Sequence, residues 1–170
     1  MVVSVNEALR RVGETFPFTW EGPLSPQPFG SETVTFSGNA TLSGTYVYDG
    51  KTFRVDARAT AAYETACARC GDPMIQKLSF SFSERFVRSV FKTADDELYP
   101  YEGEKLDLSA AFFDNLFLEM PMTSVCSDSC KGLCPVCGAN QNRRQCDCLN
   151  QTIDARLSAL GTLLNDHKEV

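Results

Sequence analysis

Eight cysteines fall in four tight pairs: Cys67-Ala68-Arg69-Cys70-Gly71, Cys126 with Cys130, Cys134-Pro135-Val136-Cys137-Gly138, and Cys146-Asp147-Cys148. Thiolates are soft ligands, and sulfurs spaced this closely along a chain can converge on one ion at about 2.3 Å. The glycine after each Cys-x-x-Cys frees the backbone to turn beneath such an ion. Six of the eight cysteines lie between positions 126 and 148, a stretch with few apolar residues from which to build a core. Zinc is therefore expected to hold that stretch, with structural disulfides and thiol redox chemistry as the competing readings.

Eight thiolates suit two tetrahedral sites, each drawing one pair from each of two segments. On knuckle geometry, Cys67 and Cys70 would join Cys126 and Cys130, tying a hairpin tip to a later part of the chain. Cys134 and Cys137 would join Cys146 and Cys148 and close a loop over residues 138–144. A rival assignment, which stays open at this point, places Cys126, Cys130, Cys134 and Cys137 on one zinc. In either case every corner is filled, so the sites are expected to be structural, not catalytic.

These pairs must be positioned by the surrounding elements. Ser4-Val5-Asn6-Glu7 has capping-box spacing and predicts a short helix up to Gly13. Pro23, Pro26 and Pro28 predict a loop excluded from any central strand. Val34 and Phe36, then Ala40, Leu42, Tyr46 and Tyr48, alternate with polar residues, and Asp49-Gly50 signals a hairpin. Phe53, Val55, Ala57, Ala59, Ala61 and Tyr63 keep period two, as do Leu78, Phe80 and Phe82. The expected fold class is α+β: a curved antiparallel β-meander or partial barrel with packed helices and a C-terminal zinc-binding segment. The first cysteine pair sits at a hairpin tip in this scheme.

Asp107-Leu108-Ser109 opens a predicted helix to about Glu119, with Leu108, Phe112, Leu116 and Met120 on one face and Phe113 and Phe117 widening it. Pro121 stops it. A second helix is expected at about 153–164, with Asp154 near its positive end. The expected organisation is a β-rich core over 1–121 and a cysteine-rich segment with a terminal helix over 122–170, packed as one unit.

The net charge of −6 argues against coating nucleic acid by bulk electrostatics. Acidic residues concentrate from Asp95 to Asp107 and read as a solvated loop, or as a patch for a basic partner. Arg54, Arg58, Arg69, Arg85 and Arg88 leave room for a local basic face. No basic n-region followed by an apolar run opens the sequence, and no apolar stretch reaches membrane-spanning length, so a cytoplasmic protein is expected. Reduced thiols there favour metal over disulfides.

Leu106-Asp107-Leu108-Ser109, Leu118-Glu119-Met120-Pro121 and the run from Cys130 through Cys134-Pro135-Val136-Cys137-Gly138-Ala139-Asn140 resemble the YceD-like family, the large ribosomal RNA subunit accumulation proteins. Cys67 and Cys70 followed by Pro73, and Asp154-Ala155-Arg156-Leu157 with Leu160, Leu163 and Leu164, extend the resemblance over about 55–165. Where that family usually reads Asn-Leu-Asn, this chain has Asn140-Gln141-Asn142, and Ala155 replaces its usual proline. The resemblance implies a role in synthesis, processing or stability of 23S ribosomal RNA.

Two non-catalytic functions are consistent with these readings. The first is a large-subunit biogenesis factor touching precursor rRNA through Arg143 and Arg144, with Lys131 and Arg69 nearby. The second is a zinc-stapled adaptor that binds only protein, such as a basic ribosomal protein, through the acidic stretch at 95–107. An enzyme is not expected. The only histidine is His167, and no Ser-His-Asp set or phosphate-cradling loop is present. A Cys-x-x-Cys oxidoreductase would need a βαβ setting, not a hairpin.

Overall fold

Two long strands carry the architecture: β6 (Thr52–Ala66) and β7 (Pro73–Arg88), paired antiparallel from Thr52 opposite Val87 to Ala66 opposite Pro73. These and the elements below come from a computed structural model that describes residues 1–92 and 98–148. Along β6, Phe53, Val55, Ala57, Ala59, Ala61 and Tyr63 are buried while Arg54, Asp56, Arg58 and Thr60 are exposed, so the period of two puts one face in the core. Phe80, Phe82 and Phe86 do the same along β7. Strand β5 (Asn39–Tyr48) pairs with β6 across the Asp49-Gly50 turn. There the Asp49 carboxylate accepts hydrogen bonds from the Lys51 and Thr52 amides and the Thr52 hydroxyl.

The expected meander holds for β5, β6 and β7, but the sheet is larger and partly parallel. Strand β2 (Thr15–Pro23) runs antiparallel beside β5, and β8 (Tyr99–Tyr101) adds in parallel to β7, giving the order β2-β5-β6-β7-β8. The sheet is open, with β2 and β8 as its edges among the described residues. Pro23 ends edge strand β2. Pro28 lies in a two-stranded ribbon of β3 (Gln27–Phe29) and β4 (Glu32–Val34), so the prolines avoid the central strands without forming only a loop.

Helix α1 (Asn6–Arg10) is shorter than predicted, and Ser4 does not cap it. Ser4 belongs to β1 (Val2–Ser4), which pairs with β9 (Lys105–Asp107), and its carbonyl accepts a hydrogen bond from the Tyr46 hydroxyl. Long-range pairing wins over the local capping signal. Helix α2 (Ser109–Glu119) matches its prediction. The Asp107 carboxylate accepts from both the amide and hydroxyl of Ser109, and the chain's amino terminus donates to the same hydroxyl at 2.8 Å. Leu108, Phe112 and Leu116 are buried, and Phe112 packs on Phe80 with ring centroids 5.5 Å apart. Phe113 and Phe117 meet Phe36 and Phe29, so the aromatic stripe is core packing.

The chain is thus α+β, mostly strand with two helices among the described residues. Part of the acidic stretch is ordered as β8 and β9, burying Tyr101 and Leu106 and exposing Glu102 and Glu104, so from Tyr99 onward it is not a solvated loop. Asp95, Asp96 and Glu97 lie outside the described residues, as do the predicted helix at 153–164 and His167. Among the described residues two compact units are present: Met1–Ala66 with Pro73–Ser124, and Cys67–Asp72 with 125–148. No helix among the described residues is long and apolar enough to cross a membrane.

Gly44 marks the tightest approach in the sheet. A Cβ there would clash with the Asp56 carbonyl oxygen and stand 2.8 Å from the Ala57 Cα, both backbone atoms of the neighbouring strand that cannot step aside. Gly44→Ala is expected to destabilise the protein by about 1–3 kcal/mol, as overpacking does. Denaturant melts should show a lowered midpoint, and an unchanged midpoint would refute the close approach.

Candidate metal centres

The second unit has a sulfur interior. Its buried side chains among the described residues are Cys67, Cys70, Cys130, Cys134 and Ala139, while Leu133 and Val136 stay exposed. The two Cys-x-x-Cys-Gly segments fold identically. In the first, the Gly71 amide donates to the Cys67 carbonyl at 2.8 Å and the Cys67 amide donates to the Asp72 carbonyl at 2.9 Å. In the second, Gly138 donates to Cys134 at 2.9 Å and Cys134 donates to Ala139 at 2.8 Å. Gly71 and Gly138 have φ of 73° and 70°, a left-handed conformation that L side chains resist, which explains the glycine in each pair.

Each turn aims two sulfurs at a second pair. Cys67 Sγ lies 3.8 Å from Cys130 Sγ, and Cys70 Sγ lies 3.8 Å from Cys126 Sγ. Four sulfurs held about 2.3 Å from a central ion at tetrahedral angles are about 3.8 Å apart. The sulfurs of Cys67, Cys70, Cys126 and Cys130 all lie within 4.8 Å of one another, as do those of Cys134, Cys137, Cys146 and Cys148. The structure brings the eight cysteines together in these two groups, and the rival set of Cys126, Cys130, Cys134 and Cys137 is not among them. Each group could hold a metal ion. An all-thiolate tetrahedron is the donor set of zinc or iron.

Fixed dipoles prepare some of these sulfurs as anions. The Cys126 amide donates to Cys67 Sγ at 3.3 Å and, with the Cys70 amide, brings that thiol down to about 6. The amides of Cys137 and Val136 bring Cys134 down to about 6. The Asn142 side-chain amide lowers Cys130. The Asp72 amide favours the Cys70 thiolate, but burial and the sulfurs of Cys67, Cys130 and Cys126 outweigh it and push Cys70 up to about 12. Hydrogen bonding to Cys137, burial and the nearby Cys137 charge likewise push Cys148 up to about 12. Four anions cannot share so small a volume unaided, and a cation bound there would supply the missing charge.

A polar shell braces the first cluster. Asn142 Nδ2 donates to Cys130 Sγ at 3.2 Å, and its Oδ1 accepts from the Lys131 amide at 2.8 Å. Asn140 Oδ1 accepts from the Asn142 amide, and Asn140 Nδ2 donates to Asp72 Oδ2 at 3.0 Å. Arg143 donates to Asp72 Oδ1 at 2.8 Å, so one carboxylate joins the first knuckle to the 140–143 turn. Gly132, at φ 73°, lets the chain pass the Arg69 carbonyl, where an added Cβ would sit at 3.1 Å, and the next amide, of Leu133, donates to that carbonyl.

The four cations singled out from sequence therefore differ. The Arg69 guanidinium donates to the carbonyls of Asp128 and Cys130, and Arg143 is paired with Asp72. Lys131 and Arg144 are exposed, and their side chains have no partner among the described residues. Sequence reasoning passed over Asn140, Asn142 and Asp72 as supports. The first two were visible only as the amides flanking Gln141, where this chain departs from the family's usual leucine.

Fold and clusters together define a small α+β protein with two four-cysteine clusters. Residues 55–164 match the family described as Large ribosomal RNA subunit accumulation protein YceD, and the chain belongs to that family. It is similar to Large ribosomal RNA subunit accumulation protein YCED homolog 1, chloroplastic, of Arabidopsis thaliana, 40% identical over 70 residues, which are 41% of this chain and 22% of that protein. An uncharacterized protein of Mycobacterium tuberculosis is 29% identical over 144 residues, 81% of this chain and 69% of its own length. The chloroplastic homolog 1 of Zea mays is 26% identical over 127 residues, 56% of this chain and 43% of that protein. The chain thus spans less than half of either plant relative. No solved structure matches it.

Removing the Asn142 amide should weaken one centre selectively. Asn142→Leu is expected to lower metal affinity at the first cluster about 10–100-fold, as loss of an outer-shell partner does. Competition with a chromophoric chelator would show one of two metal equivalents released early. Equal release of both would refute the assignment.

Proposed function

We propose that this protein is a non-catalytic factor supporting accumulation of the large-subunit ribosomal RNA, with one structural zinc in each cluster. The observation that carries the reading is the pair of closed four-thiolate groups in a chain of this family. With every corner a protein sulfur, no position is left for water or substrate, and the metal's work is to fold the segment that holds it. Zinc fits better than iron because the segment needs a fold rather than a redox centre, and a reduced cytoplasm keeps the thiols available. Binding of a structural zinc at about 10–16 kcal/mol would decide whether the second unit folds.

Metal analysis of the purified protein should give two zinc ions per chain. A protein without metal, with eight free thiols and an intact fold, would sink the zinc reading.

The partner in this reading is precursor rRNA, met through the zinc-bearing segment. Since Arg69 and Arg143 are engaged within the segment, Lys131 and Arg144 are the cations best placed to meet phosphate. A protein-only adaptor is the second reading, supported by Glu102 and Glu104 exposed beside β8 and β9. Ultraviolet crosslinking in cells should recover discrete sites on large-subunit precursor RNA, and Lys131→Glu with Arg144→Glu should remove them. Background-level RNA together with co-purification of a basic ribosomal protein would favour the adaptor.

A further inference from the structure

At the β5–β6 turn, the first unit carries a cavity of about 310 Å³ lined by Tyr48, Gly50, Lys51, Arg88, Phe91 and Tyr101. Its walls are aromatic and its charged members are both cations. The Arg88 guanidinium carbon stands 6.0 Å from the centre of the Tyr101 ring, and Tyr48 is held by its hydroxyl bond to the Gly50 carbonyl at 2.9 Å. Phe91 is 66% exposed and Val90 79%, in a short turn over Ser89–Phe91 that leaves the end of β7. An aromatic ring presented to solvent beside Arg88 and Lys92 does no core work.

The local charge is positive in a chain whose net charge is negative. Neither Lys51 nor Arg88 has an ion pair among the described residues, and the nearby Asp49 spends its carboxylate on the Lys51 and Thr52 amides. Arg85 adds a third cation close enough for its charge to favour ionised Asp49. On the other side of Arg88, a second cavity of about 410 Å³ is lined partly by Glu102 and Glu104 and would repel an anion. The two cavities flanking Arg88 thus have opposite character.

We infer that the Tyr48–Phe91–Tyr101 cavity receives an unstacked base of single-stranded RNA, with Lys51 and Arg88 on the adjoining phosphates. Every base offers a flat face to an aromatic ring, and cations at the rim track the backbone, which is the chemistry of sequence-tolerant single-strand binding. The volume suits one nucleotide, not a duplex. This inference rests on the RNA-contacting reading above, but places the contact on the sheet unit, away in sequence from Lys131 and Arg144.

The test uses the full chain with its metal and fluorescein-labelled ten-nucleotide oligouridylate and oligoadenylate, followed by anisotropy over a series of salt concentrations, with variants compared at the same salt. Phe91→Ala should weaken binding about 5- to 100-fold, the loss expected from one stacked base, while Phe91→Trp retains it. Lys51→Glu should also weaken binding and flatten its salt dependence. Both positions are exposed, and an unchanged melting midpoint would show that the fold is intact. After irradiation, the uridine adduct should map to the peptide containing Phe91. Binding that survives Phe91→Ala and Lys51→Glu but falls with Lys131→Glu and Arg144→Glu would overturn this site and leave the RNA reading standing. Crosslinking in cells without oligomer binding would overturn it as well. Absence of both would remove the RNA reading and this site together.

Discussion

Mutual repulsion among converging thiolates is the constraint on which the cysteine-rich unit depends. Four sulfurs within 4.8 Å of one another cannot all be anionic without a cation between them, yet Cys67, Cys70, Cys130 and Cys134 are the unit's main buried groups. The chain meets this with geometry prepared in advance. Each Cys-x-x-Cys turn fixes its sulfurs with the same two backbone hydrogen bonds, and peptide dipoles point at Cys67 and Cys134 in particular. Each turn orients only its own two sulfurs, so a cation that also gathers the second pair would couple its binding to the folding of the unit.

The sheet unit solves a different problem by ordinary means. A fifteen-rung register between β6 and β7 is set by strict alternation, since a slip of one residue would turn Phe53, Val55 and Phe86 out to solvent. Helix α2 closes the apolar face with Phe112 and Leu116. The proposed metal and RNA sites lie where the chain departs from this regularity: the turn at 67–72, the turn at 49–50 and the short segment after Arg88.

Features set by near neighbours in sequence were readable. The cysteine pairs, the period-two strands, the Asp49-Gly50 turn and the apolar face of α2 are all local patterns with one dominant physical meaning. Features decided by distant residues were not. Ser4 carried a helix-capping signal but pairs with Lys105, and nothing near Ser4 announces that partner. Tyr99–Tyr101 reads as part of an acidic run, and its parallel pairing to β7 depends on a connection whose length hides it. Asp72, Asn140 and Asn142 belong to one network, but Asp72 and Asn140 are 68 positions apart and nothing local to either announces the other. The grouping of the thiols was open in sequence because either combination satisfies four-coordination. Only the chain's path separates them.

That path has a consequence for the order in which the protein can be completed. Cys70 and Cys126 meet although 56 positions separate them along the chain. During synthesis, the first sulfur pair emerges well before its partners, with β7, β8, β9 and α2 still to come between. The strand pairing of β5 to β7 is available by Arg88, whereas the first cluster cannot close until Cys130 has been added. A growing chain therefore passes through an interval in which Cys67 and Cys70 stand without their second pair, and, with zinc bound as proposed, metal supply and reducing conditions in that interval would bear on the yield of correctly assembled protein.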